Sequence, residues 1–152
     1  MVNLTQEQIK EIAEELDMGF RCLVNKTNGE LLFFPDTLKL YDIDTEAWEE
    51  EIEKFENNPS DYAEIKALES WNSFEIMEDF IKTITDNNKL KEKLINALQR
   101  RKPFREFKYV IDNSGEYRQL WFEFKDRSLQ NWVIERYEEL IELEEFNKEN
   151  DF

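Results

Sequence analysis

The sequence has no histidine, one cysteine and three glycines, and each shortage closes off a class of chemistry. Without histidine there is no Ser-His or Cys-His nucleophile pair, and the commonest general base and metal ligand are both missing. Glycine stands only at positions 19, 29 and 115, so neither a phosphate-cradling loop nor a dinucleotide fingerprint can be assembled. A lone Cys22 makes no internal disulfide, which fits a reducing compartment. No apolar run approaches the length of about eighteen residues that spans a bilayer. The opening segment MVNLTQEQIK lacks the basic and apolar stretches of a secretion signal. These absences lead us to expect a soluble cytoplasmic protein with no membrane partner, and not an enzyme, with no cofactor, metal site or catalytic residue.

What is present is charge and aromatic surface. Of 152 residues, 40% are hydrophobic, including twelve Phe, five Tyr and four Trp, enough for a folded core despite the charge. A chain this long buries roughly two thirds of its extended surface as one unit, so we expect a single domain over 1–152. The net charge of -16 repels nucleic acid and anionic membrane over most of the surface. Asp36, Asp42 and Asp44, or Glu75, Glu78 and Asp79, are close enough in sequence to suggest a hard-cation site. No calcium-loop spacing supports one, and solvated surface is the better expectation. Cys22 alternates with Phe20 and Val24, as a buried strand thiol would.

Periodicity predicts the elements. Thr5 to Leu16 carries Ile9, Ile12, Ala13 and Leu16 on one helical face, with Thr5 and Gln8 spaced as a capping box. Phe20 to Asn25 and Leu31 to Phe34 read as a hairpin turning at Asn28-Gly29 and ending at Pro35. A short acidic helix from Asp44 or Thr45 presents Trp48, Ile52 and Phe55, and Tyr62 to Ala67 is a candidate third strand. Asn72 and Glu75 suggest a second capping box, stapled by Trp71 and Ile76. Next comes a helix through Leu90, Leu94 and Leu98 with Arg100 and Arg101 in its last turn, then one opened by Pro103 and lined by Phe104, Phe107, Val110 and Ile111. From Tyr117 the pattern is helical to about Phe146. Its apolar face moves by more than a quarter turn between Tyr117/Trp121 and Leu129/Val133/Tyr137, which suggests a break near Asp126 to Ser128. The acidic tail from about residue 142 is expected to fray. The sum is an α+β fold, a small antiparallel sheet packed against a mostly helical C-terminal half.

One stretch departs from the acidic background. Between Arg100 and Lys125 there are seven cations, Arg100, Arg101, Lys102, Arg105, Lys108, Arg118 and Lys125, against four acids. Arg forks beside aromatic rings suit an anionic ligand or an acidic protein segment. Arg100, Arg101, Arg105, Lys108 and Arg118, with Tyr117 and Trp121, are therefore the candidate binding residues, with Arg118 placed to stack on Trp121 or hold a carboxylate. The competing expectation is that the island neutralises Glu49-Glu50-Glu51 or the acidic tail internally while its rings fill the core.

LDMGFRC (Leu16 to Cys22), SFEIMEDFI (Ser73 to Ile81), LINALQRRKPFREFKYVID (Leu94 to Asp112) and SGEYRQLWFEFK (Ser114 to Lys125) together resemble the bacterial uncharacterised protein family UPF0158. Pro103 stands where the family pattern has a small residue, and the tail beyond Trp132 lies outside the resemblance. The resemblance implies a shared fold unit and no activity. The expected function is thus a non-enzymatic binding or regulatory module. The alternatives are nucleic-acid binding by the short helices around Pro103, which the net charge disfavours, and an acidic, antitoxin-like inhibitor that imitates nucleic-acid charge.

Overall fold

The computed structural model describes residues 1–150. They fall into two compact units, Met1–Ala67 together with the chain from Leu129 onward, and Leu68–Ser128. The first is built on a sheet of three strands, β1 (Phe20–Asn25), β2 (Leu31–Pro35) and β3 (Tyr62–Ile65), in the order β2-β1-β3 with both pairings antiparallel. Cys22 lies opposite Phe33 on one side and Ile65 on the other, and Leu23 lies between Leu32 and Glu64. Cys22, Leu23 and Val24 are all buried, so both faces of the central strand are covered.

Each face has its own helix. The first, α1 (Gln6–Asp17), starts at the Thr5 cap, where Gln8 N donates to Thr5 Oγ1 at 3.1 Å and Thr5 N donates to Gln8 Oε1 at 3.0 Å. It buries Ile12, Ala13 and Leu16, and the Cys22 thiol points at the Ile12 carbonyl. On the opposite face Leu23, Leu32, Phe34 and Tyr62 pack against Trp48, Ile52 and Phe55 of the acidic segment. That segment is a 3-10 turn (Glu46–Trp48) running into α2 (Glu49–Asn57). Arg21 reaches across the strands to Glu64 with two hydrogen bonds of 2.7 and 2.9 Å, its guanidinium lying over the rings of Phe34 and Phe55. The hairpin turn needs Gly29. Its φ is +75°, and a Cβ there would stand 2.7 Å from the Val2 side chain.

The second unit is helical: α3 (Ser70–Thr83), α4 (Asn88–Leu98), α5 (Pro103–Asp112) and the opening turns of α6 (Tyr117–Glu149). Its core joins Phe80, Ile81, Leu94, Phe107, Ile111 and Trp121 among others. Two helix ends differ from expectation. The α3 helix begins a turn earlier than an Asn72 cap would place it, with Glu69 at the cap and Asn72 at the third position, where its Oδ1 accepts from Glu69 N at 2.9 Å. Trp71, expected as a staple, is exposed and donates to Glu69 instead. The α4 helix stops at Leu98, so Arg100 and Arg101 lie in the turn beyond it.

No break interrupts α6. Ser128 does not cap a new helix; its hydroxyl donates to the Phe124 carbonyl one turn back at 2.9 Å. The apolar face moves because the helix serves two cores in succession, Tyr117 and Trp121 in one and Leu129, Val133 and Tyr137 in the other. The later turns are tied to the first unit by Trp132 Nε1 donating to Lys66 O at 2.8 Å, by the Tyr137 hydroxyl donating to Val2 O, and by a Lys26–Glu144 ion pair of 2.6 Å. The helix runs through Glu149; the last two residues of the expected tail lie outside the described ones. Among the described residues no helix is long and apolar enough to cross a membrane.

A continuous α6 makes a specific demand at the expected break. Ser128→Pro removes a helical hydrogen bond and clashes one turn back, so we expect a loss of about 3 kcal/mol or more in urea unfolding. An unchanged midpoint would indicate a helix boundary at this position.

Candidate functional site

The basic stretch folds into the α4–α5 turn and α5. Lys102 stays out of the helical region (φ -122°, ψ 74°), which the following proline disfavours, and Pro103 opens α5 without losing a hydrogen bond. Phe107 and Ile111 turn inward and are almost completely buried. Phe104, Arg105, Lys108, Tyr109 and Asp112 are left exposed. At about 100° per residue these five span an arc of about 140°, with Phe104 at one edge, Tyr109 at the other and Lys108, Asp112 and Arg105 between. Arg101 and Lys102, exposed at the helix entrance, extend the arc.

The cations are only partly consumed. Glu106, the most sheltered acid here, accepts from Arg100 at 3.3 Å and from Arg105 at 3.2 Å. Arg118 pairs with Asp112 at 3.3 Å and lies 4.7 Å over the ring of Phe122, rather than on Trp121. The expected internal partners, the Glu49-Glu50-Glu51 turn and the tail, are not the ones recorded for these arginines; the pairing is local. Such exposed pairs are worth about 0–1 kcal/mol and yield readily to a stronger anion. Among the described residues Arg101, Lys102 and Lys108 have no carboxylate within ion-pair distance.

The structure takes Tyr117 and Trp121 out of the surface. Trp121 is wedged between Phe80 and Phe107 at ring separations of 5.3 and 4.9 Å, both edge-on. Tyr117 is buried beside it, its hydroxyl donating to Asp86 Oδ1 at 2.7 Å. That hydrogen bond, with burial and the Asp86 charge, holds the phenol above its usual pKa. The rings that do share the surface with the cations are Phe104, 44% exposed, and Tyr109, 69% exposed. Sequence reasoning put Phe104 on the core stripe and passed over Tyr109. The signal was present in the helical wheel, where Tyr109 falls one turn from Arg105 and opposite Phe107.

A cleft of about 350 Å³ lies elsewhere in the same unit. Asp86, Glu116 and Glu123 line it against one guanidinium, Arg127, with Phe80, Tyr117 and Phe124 as its rings. Its charge is wrong for an anion, and Arg101, Arg105 and Arg118 are not among its walls. The aspartate and glutamate groups singled out in the sequence form no metal-ligand cluster among the described residues. The Cys22 thiol is buried, and desolvation pushes its pKa up, away from a nucleophile's range.

The comparison with known families adds an identity to this geometry. A model of an uncharacterised protein family, UPF0158, matches residues 3–150. The chain belongs to that family. The match continues past Trp132 through the acidic tail, beyond the span that the motifs alone suggested. A UPF0158 protein from Pseudomonas aeruginosa is similar, 31% identical over 133 residues, which is 86% of this chain and 80% of that relative. No solved structure matches the chain.

The Tyr117–Asp86 bond gives a pH signature. A phenol whose folded pKa is raised contributes stability that is complete below the unfolded value, about 10, and is lost as pH rises through the folded one. We therefore expect wild-type protein to lose stability more steeply than Tyr117→Phe as pH rises above about 10, measured as urea midpoints. Parallel declines would remove this bond from the account.

Proposed function

We propose that the protein is a binding module that holds an anionic partner on the outward face of α5. The observation that carries this reading is the set of unneutralised cations at Arg101, Lys102 and Lys108, sharing one helical face with two exposed rings. Arg105 adds a guanidinium whose pairing to Glu106 uses only part of its hydrogen-bonding capacity. Arg100 and Arg118, both ion-paired and both exposed, stand at the margins of the face.

Charge distribution supports the same reading. Leu68–Ser128 carries twelve cations against eleven acids, whereas the rest of the chain carries eight against twenty-five. The strong negative balance therefore belongs to the sheet-containing unit. An anion approaching α5 meets the near-neutral one, and within it the local excess of Arg and Lys.

The test is a fluorescence anisotropy titration at about 50 mM salt, where phosphate and carboxylate contacts are strong, using a labelled oligodeoxythymidylate and a labelled polyglutamate peptide. We expect saturable binding to at least one, weakened about tenfold or more (~1.4 kcal/mol) by Arg101→Ala, Arg105→Ala and Lys108→Ala together. The far-ultraviolet circular dichroism should not change, since all three side chains are exposed. Absence of binding to both probes, or binding indifferent to the triple substitution, refutes the proposal.

A further inference from the structure

Cations alone suit any polyanion, but the rings on α5 are harder to account for. Phe107 and Ile111 are 1% exposed and Val110 is partly buried, whereas Phe104 and Tyr109 are open to solvent. They are five positions apart, about 7.5 Å along the axis. Lys108 and Arg105 lie between them on the wheel, and Arg101 and Lys102 lie at the N-terminal end. The face therefore sets two flat rings on either side of a cationic strip, whose one acid, Asp112, is paired with Arg118.

Resting on the anion-binding reading above, we infer that the partner is a short unpaired stretch of nucleic acid, its bases stacked on Phe104 and Tyr109 and its phosphates on Arg101, Lys102 and Lys108. A single strand is the polyanion that itself alternates charge with flat rings, and base stacking on aromatic side chains tolerates any sequence. An acidic peptide would use the cations and leave both rings unmatched. A duplex hides its base faces, and its second strand would bring more phosphate toward a chain of net charge -16. The helix is ten residues long, about 15 Å, which matches a few nucleotides. With three or four phosphates neutralised, log affinity should fall with log salt at a slope of about -2 to -3.

Four labelled probes separate the components in anisotropy titrations of the full chain: an oligodeoxythymidylate, an abasic strand of equal length and charge, a duplex of the same length, and a polyglutamate peptide. We expect the thymidylate to bind about tenfold more tightly than the abasic strand. Phe104→Ala with Tyr109→Ala should erase that difference while leaving abasic binding in place, and Tyr109→Trp should preserve it. Both truncated rings are exposed, and unchanged circular dichroism would verify the fold. Equal affinity for the abasic and base-bearing strands overturns the stacking inference and leaves the anion-binding reading standing. Tighter binding of the duplex or the peptide overturns it in favour of that partner. Silence toward all four removes both readings together.

Discussion

The helical unit depends on one aromatic contact, the wedge of Trp121 between Phe80 and Phe107. These residues come from α6, α3 and α5, and each ring meets the indole edge-on, a geometry favoured by the ring quadrupoles. The contact fixes the rotation of α5 about its own axis. With Phe107 and, one turn on, Ile111 held inward, the positions that remain outward are 104, 105, 108, 109 and 112. The candidate face is thus a by-product of core packing. A full burial of Phe107, worth about 3–5 kcal/mol against alanine, outweighs the cost of leaving Phe104 and Tyr109 wet.

Charge obeys a similar hierarchy. Glu106 lies at the border of the buried side, where an unpaired carboxylate would be costly, and it gathers Arg100 and Arg105. Asp112, more exposed, takes Arg118 from the following helix, and that arginine also covers the Phe122 ring. Gly115 makes the intervening turn possible, with φ at +66° and nothing within 4 Å of a would-be Cβ. Glu106 and Asp112 are therefore used to set the turn geometry and shelter one carboxylate. They do not cancel the positive field of α5, because Arg101, Lys102 and Lys108 are left without a carboxylate at ion-pair distance among the described residues.

Much of the architecture was legible in the sequence because it is written in local signals. The Thr5/Gln8 box, the hairpin with Asn28-Gly29, and Pro103 at the start of α5 each act within a few residues, and each appears in the structure as read. Misreadings arose where tertiary context chose between equally good local options. Glu69 and Asn72 both offer a side-chain oxygen near the start of α3, and the earlier residue became the cap. The moving stripe on α6 looked like a break since one helix was assumed to face one core. Tyr117 and Trp121, expected at the surface as binding residues because they lie beside the cations in sequence, are instead in the core.

That separation explains why the cationic part of the candidate site was readable and the aromatic part was not. A long Lys or Arg side chain is kept outward by its own solvation, whatever the helix packs against, so its presence in sequence nearly settles its location. A Phe or Tyr has no such preference strong enough to override packing. Its position depends on which side of the helix meets a neighbour, a fact carried by residues thirty or more positions away, such as Phe80 for Trp121. The exposed rings of α5 follow from the same reasoning. Phe107 and Ile111 use up the inward arc, and among the described residues nothing covers Tyr109, so the ring stays in solvent beside charges that cannot leave it.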